Sequence, residues 1–182
     1  MCTGDSWLGA LVCALAVSAA LGAAPLRAAE SAHAEGLSHS AASIHQQVDF
    51  PTRCARVYRV LTHAPEFDAL TRLSDAATLM TAPGAKATAI SDEVGAPFTL
   101  FGGYITGRNL EVVRDQRLVQ AWRAGGWDPG EYSVVRFELQ PHESHCTVVL
   151  DQRGFPDKQG PSLAYGWRVH YWQPLGKLLG QQ

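Results

Sequence analysis

Residues 98–132, FTLFGGYITGRNLEVVRDQRLVQAWRAGGWDPGEY, constrain the fold more than any other part of the chain. They read as short consecutive strands joined by tight turns at Gly102-Gly103, Arg114-Asp115-Gln116 and Asp128-Pro129-Gly130. Glycine supplies the positive φ such turns need, and proline pre-sets the negative one. Period-two alternation accompanies the turns. Leu118, Gln120 and Trp122 face one way, with Val119, Ala121 and Arg123 opposite. The pattern continues downstream, where Val135, Phe137 and Leu139 share a face, as do Cys146, Val148 and Leu150. Alternation of this kind predicts an antiparallel meander with one buried face.

The flanking segments read differently. Residues 44–50 alternate as an opening strand, through Ile44, Gln46, Val48 and Phe50. Pro51-Thr52 marks a break, with Thr52 as the expected N-cap of a helix carrying Ala55, Val57, Tyr58 and Leu61. His63-Ala64-Pro65 interrupts that helix, and residues 66–73 are expected to form a second short one. Residues 78–89, rich in Ala, Thr, Pro and Gly, read as a loop or a weak edge strand. From Pro161 onward, Leu163, Trp167, Tyr171, Leu175 and Leu178 recur at helical spacing and make one apolar stripe. Pro161 is acceptable in a first turn. Pro174 inside the helix removes the bond to the His170 carbonyl and predicts a bend. One greasy sheet face plus one long greasy helix is a two-layer α+β arrangement.

The ordered blocks FTLFGGYITGRNLE, VQAWRAGGW, GFP at 154–156 and GWRVHYWQPL resemble the C-terminal domain of activators of the heat-shock-protein-90 ATPase. That family belongs to the START-like, or SRPBCC, superfamily. The resemblance runs over residues 44–179, apart from residues 71–92, which show no clear match. It implies the helix-grip (START-like, pollen-allergen-like) fold, a curved antiparallel sheet wrapped around a long C-terminal helix with a cavity between them. Nothing in the chain corresponds to the separate N-terminal domain with which the eukaryotic co-chaperones grip their partner.

Residues 7–24 are an almost uninterrupted run of Leu, Ala, Val and Gly without a charge, followed by small residues up to Ala29. An apolar core followed by small residues describes a secretory signal peptide over residues 1–29. The flanks fit less well, with Asp5 and no Lys or Arg ahead of the run. Uncleaved, the segment would be a membrane anchor, although a spanning helix needs about 20 apolar residues. The expected address is therefore periplasmic or extracellular, with cytoplasmic or membrane-anchored locations as the alternative. Residues 30–43 read as a polar, flexible linker, and residues 44–180 as the folded domain. Export would leave Cys54 and Cys146, which in an oxidising compartment could pair or could equally be small buried hydrophobes.

Composition excludes some functions. With 15 basic and 17 acidic residues the chain has a formal net charge of -2, and no basic stripe that would recruit nucleic acid. There is no Gly-x-Ser-x-Gly elbow, phosphate loop or dinucleotide fingerprint, so neither catalytic residues nor a cofactor are assigned. His142, Glu143, His145 and Cys146 are the nearest approach to a metal cluster, but they fall at a predicted hairpin where turn polarity accounts for them. Asp151 and Arg153 share the outward strand face, which suits a salt-bridged surface pair.

The combined reading is an exported START-like protein that binds a small hydrophobic molecule. Tyr104, Trp122, Phe137, Trp167 and Tyr171 are the candidate ligand-binding residues, the tyrosine tips supplying orientation in an apolar pocket. For Trp122 the simpler reading is core packing, with Arg123 outward against an acidic partner. A protein-binding modulator like the co-chaperone relatives is the alternative. An enzyme using the cavity ranks third, because no acid/base pair stands out.

Overall fold

A computed structural model describes residues 42–180; the export signal expected at 1–29 and all but the end of the expected linker lie outside the described residues. The chain enters the sheet at β1 (Ser43–Phe50), where Ile44 and Phe50 are buried and His45, Gln47 and Asp49 are exposed. Two short helices follow, α1 (Cys54–Thr62) and α2 (Ala64–Thr71). Arg53, not Thr52, occupies the N-cap of α1 and makes no side-chain cap bond. Thr52 instead closes a turn through its backbone N–H to the Phe50 carbonyl at 2.7 Å, which leaves the helix to start one residue later. Pro65 lies in the first turn of α2, so the helix begins at Ala64 rather than Glu66. A proline there loses no intrahelical bond.

The stretch expected as a loop contains a short helix, α3 (Ala77–Met80), before it becomes irregular. Ala89 then bridges Thr99. The strands β2 (Pro97–Leu100), β3 (Ile105–Val113), β4 (Arg117–Ala124), β5 (Ser133–Pro141) and β6 (Cys146–Arg153) complete a six-stranded antiparallel sheet in the order β1-β6-β5-β4-β3-β2. The predicted turns all fall between strands. Leu110 is the bulged residue of β3, where the register shifts between Asn109 and Glu111. A bulge bends its strand and sharpens the local twist, and so helps curve the sheet.

Glycine is required at one of these turns and at one position inside β3. Gly102 has φ +68°, and a Cβ there would lie 2.0 Å from the Leu79 carbonyl oxygen, so only glycine lets α3 approach the β2–β3 turn. At Gly107 a Cβ would lie 2.0 Å from the Ala121 oxygen and 2.3 Å from the Phe98 ring. The phenylalanine occupies the space a side chain would need.

The C-terminal helix covers the concave face in three pieces. An α-helical start, α4 (Gly160–Gly166), passes into a π-helical segment (Trp167–Trp172) and then into α5 (Gln173–Leu179). The backbone N–H of Gln173 reaches the Arg168 carbonyl, five residues back. Widening of the helix just ahead of Pro174 is the observed answer to the missing proline donor. It also changes which side chains share a face. Trp167, Tyr171 and Trp172 are all buried, whereas regular helical spacing would turn Trp172 away from Trp167.

The core lies between this helix and the sheet's inner face. Leu118, Trp122, Val135, Phe137, Leu139, Val148 and Leu150 face inward as the alternation predicts. Cys54 at the start of α1 and Cys146 at the start of β6 form a disulfide, with 4.9 Å between their Cα atoms. Of the two readings open to these cysteines, the structure adopts the bridge. Arg123 points outward as expected, but its guanidinium donates to the Trp127 and Asp128 carbonyls of the following turn rather than to an acidic group. Asp151 is met from β1, with its Oδ1 2.8 Å from His45 Nδ1. His142 and His145 stack with ring centroids 4.3 Å apart, across a hairpin closed by the His142 N–H to the His145 carbonyl. Among the described residues no helix is long and apolar enough to cross a membrane.

Candidate functional site

Sheet and C-terminal helix are closed together at one end by hydrogen bonds involving Gln46 and Gln152 and separate at the other. Where they separate they enclose a cavity of about 490 Å³. Its floor is Ile105 on β3 with Trp122 and Ala124 on β4. Its roof is Leu163, Gly166, Trp167, His170 and Tyr171 from the C-terminal helix. Ala76 and Leu79 from the α3 region, with Phe101, Tyr104 and Trp127 from the adjoining turns, form the rim.

The aromatic wall is built by local backbone choices. Phe101 adopts φ +51°, a left-handed conformation that costs a non-glycine residue about 1–3 kcal/mol. With Gly102 and Gly103 also at positive φ, the chain folds back and directs the Phe101 ring inward. There it meets Tyr171 edge-on, with centroids 5.3 Å apart, and Phe67 at 5.2 Å. Trp122 packs between Trp127 at 5.5 Å and Trp167 at 5.6 Å. The π-helical segment brings Trp167 and Tyr171 to a centroid separation of 4.3 Å.

Four of the five candidate residues from the sequence, Tyr104, Trp122, Trp167 and Tyr171, line this cavity. Tyr104 is half exposed at the mouth. Phe137 does not line it. Its ring is fully buried behind the wall, edge-on to Trp167 at 5.7 Å and to Trp172 at 6.3 Å. Phe137 shares the inward face of β5, but the indoles stand between it and the open space. Phe101, Trp127 and His170 were not among the candidates. Trp127 sits in a turn where alternation has nothing to say. The inward aim of Phe101 depends on a backbone conformation that residue type does not predict.

The polar groups of the interface fall into two sets. At the closed end each one is paired. Trp167 Nε1 donates to Gln152 Oε1 at 2.7 Å, and Gln152 Nε2 donates to Ser133 Oγ at 2.9 Å. Trp172 Nε1 donates to Gln46 Oε1 at 2.5 Å, and Gln46 Nε2 donates to the Ala164 carbonyl at 2.9 Å. Around the cavity, Trp122 Nε1, Tyr171 Oη and His170 Nδ1 are buried without a partner among the described residues. Tyr58 Oη and Asp68 Oδ1, on α1 and α2, are the other such atoms.

Burial pushes the Tyr171 phenol far above its ordinary range, so it stays protonated and can donate. The Trp122 indole N–H is close enough to offset that slightly. The two groups nevertheless miss hydrogen-bond geometry, which leaves both unpaired among the described residues. Burial also lowers the pKa of His170, while Asp75 near the mouth acts in the opposite direction. The cavity therefore offers uncharged hydrogen-bonding groups set in an aromatic wall.

An antiparallel sheet gripping a C-terminal helix, with an aromatic cavity between them, defines a helix-grip protein of the START-like, or SRPBCC, kind. Within that class, residues 51–180 match the family described as "Activator of Hsp90 ATPase homolog 1-like protein", and the chain belongs to that family. It is 25% identical over 87 residues to activator of 90 kDa heat shock protein ATPase homolog 2 from Mus musculus, covering 48% of this chain and 26% of the mouse protein. Against homolog 1 from Homo sapiens it is 22% identical over 131 residues, covering 72% of this chain and 35% of the human one. The chain thus spans between a quarter and about a third of the length of these curated relatives. The crystal structure of an HSP90 activator from Plasmodium falciparum superposes with a TM-score of 0.63 at 22% identity, over 76% of this chain and 96% of that one. That likeness establishes the shared fold.

Proposed function

We propose that this protein binds a small hydrophobic molecule in the cavity between sheet and C-terminal helix, and that it does so outside the cytoplasm. The observation that carries the first part is the cavity itself. At about 490 Å³ it falls in the size range of small-molecule sites, roughly 300–1,000 Å³. Its lining is mostly apolar, combining aromatic and aliphatic side chains with a few polar groups, the composition such sites use for burial and orientation. Tyr104, Trp122, Trp167 and Tyr171 are the proposed contact residues, joined by Phe101 and His170.

Two observations support the export reading. The apolar run at residues 7–24 has the character of a signal peptide. The disulfide between Cys54 and Cys146 suits an oxidising compartment, because cytosolic thiols are kept reduced.

Native mass spectrometry of protein taken from its own host tests both parts at once. The expected mass begins near Ala29 or Glu30, contains the disulfide, and includes a retained apolar molecule. A full-length, reduced and empty protein would sink the reading.

Family membership favours one second reading, a protein-binding modulator of a chaperone ATPase, in line with the activator role for which the relatives are named. On that reading the folded domain would capture a chaperone ATPase from a lysate of its host and alter its turnover. Absence of both effects with the oxidised protein would remove it.

A further inference from the structure

We infer that the ligand is an uncharged, rigid, apolar compound carrying a carbonyl-type oxygen, which accepts hydrogen bonds from Trp122 Nε1 and Tyr171 Oη. This inference rests on the proposed cavity-binding role and names the chemistry that the site would select.

The buried indoles differ in their partners. Trp167 and Trp172 each have a glutamine oxygen as acceptor, provided from the sheet by Gln152 and Gln46. Trp122 belongs to the same aromatic cluster and is 4% exposed, yet it has no acceptor among the described residues. Tyr171 is 5% exposed, and its hydroxyl is also without a partner. Both residues line the cavity, from opposite walls, and their polar atoms approach each other without pairing. Unpaired buried donors are unusual in folded proteins and call for an explanation. Both atoms are closed off from solvent as the rings stand, so an acceptor oxygen that parts the two rings slightly would satisfy both together.

The charge of that oxygen follows from the lining. Among the described residues no Lys or Arg lines the cavity, and the one carboxylate that does, Asp75, stands exposed at the mouth. A carboxylate ligand would be desolvated there without a cation and would face Asp75 on entry. A neutral ketone or quinone oxygen loses little water and receives two donors. Phe101, Trp127 and Trp167 supply the flat apolar surfaces for the remainder of the molecule. His170 Nδ1, the third unpartnered atom, is available to a second polar group on the ligand.

The test uses three probes of one shape: fluorene, 9-fluorenone and fluorene-9-carboxylate. Their affinities for the full-length, oxidised protein are measured by titration calorimetry, for the wild type, Tyr171→Phe and Trp122→Phe. 9-Fluorenone should bind about tenfold more tightly than fluorene, and the carboxylate most weakly of the three. Each substitution should weaken 9-fluorenone by about 3- to 10-fold more than it weakens fluorene, the worth of one hydrogen bond. Equal binding of fluorene and 9-fluorenone, or equal loss of both in the variants, would overturn the inference and leave the cavity-binding role intact. Tightest binding by the carboxylate would overturn it as well. If none of the probes binds and protein from the host is also empty, the cavity-binding role falls and takes this inference with it. Tyr171→Phe removes a single oxygen, so it remains informative if Trp122→Phe fails to fold.

Discussion

The two ends of the sheet–helix interface are made from the same materials and finished differently. At the closed end, Gln152 and Gln46 rise from the inner face of β6 and β1 to meet the indoles of Trp167 and Trp172. At the cavity end, Trp122 and Tyr171 are buried as deeply but have no such partners. Burying a polar group without a hydrogen bond costs about 1–3 kcal/mol, so the cavity end sacrifices stability that the closed end retains. A fold that can place glutamines against two indoles has the means to satisfy a third. Groups left free beside a cavity are what a binding site needs and what a core avoids.

Four measurements test this contrast. The largest effect belongs to Trp167, which joins both ends. Trp167→Ala should lower unfolding free energy by about 3–5 kcal/mol in denaturant titration, because it opens the cavity wall and orphans Gln152. A loss near zero would mean that the wall is not packed as described. Gln152→Leu should cost about 1–3 kcal/mol, since it leaves the Trp167 N–H buried and unpaired while Ser133 keeps its bond to the Trp122 carbonyl.

Tyr171→Phe is the decisive counterpart. Removal of an unpaired hydroxyl should leave stability unchanged or raise it by up to about 1 kcal/mol, read in the same titration. If Tyr171→Phe costs as much as Gln152→Leu, the hydroxyl has a partner and the contrast between the two ends disappears.

The smallest effect concerns pH. Burial lowers the His170 pKa below its ordinary 6.5, so the unfolded chain takes up this proton first as the solution is acidified. Its contribution is therefore full above about pH 6.5, declines as pH falls towards the folded-state value, and is constant below that. His170→Gln should flatten this part of the stability–pH curve. An unchanged slope would mean that the ring is not desolvated by the helix.

Much of the framework was legible beforehand because strand faces obey a local rule. Leu118, Trp122, Phe137 and Leu150 could be assigned to the interior from alternation alone, since neighbouring side chains on a pleated strand must point to opposite faces. The turns at Gly102-Gly103 and Asp128-Pro129-Gly130 were equally visible, being consequences of φ preference. Helix boundaries were less so. Thr52 has the chemistry of an N-cap, yet its backbone is committed to a turn with Phe50. The burial of Trp172 was hidden because the stripe was read at regular helical spacing, and the π-helical segment before Pro174 changes that spacing. Phe137 was placed on the inward face, but inward facing does not distinguish a residue that lines a cavity from one packed behind it.

Local residue order sets the layers of this protein: which strand faces are apolar, where the chain turns, and that an apolar helix follows the last strand. These are properties of residues a few positions apart, governed by local sterics and periodicity. Long-range packing alone brings Cys54 to Cys146, pairs Gln152 with Trp167, and leaves Trp122 and Tyr171 beside a cavity without a hydrogen-bond partner among the described residues. Those pairings join residues far apart in the chain. Whether a buried donor finds an acceptor is settled by where the other strands and the helix come to rest.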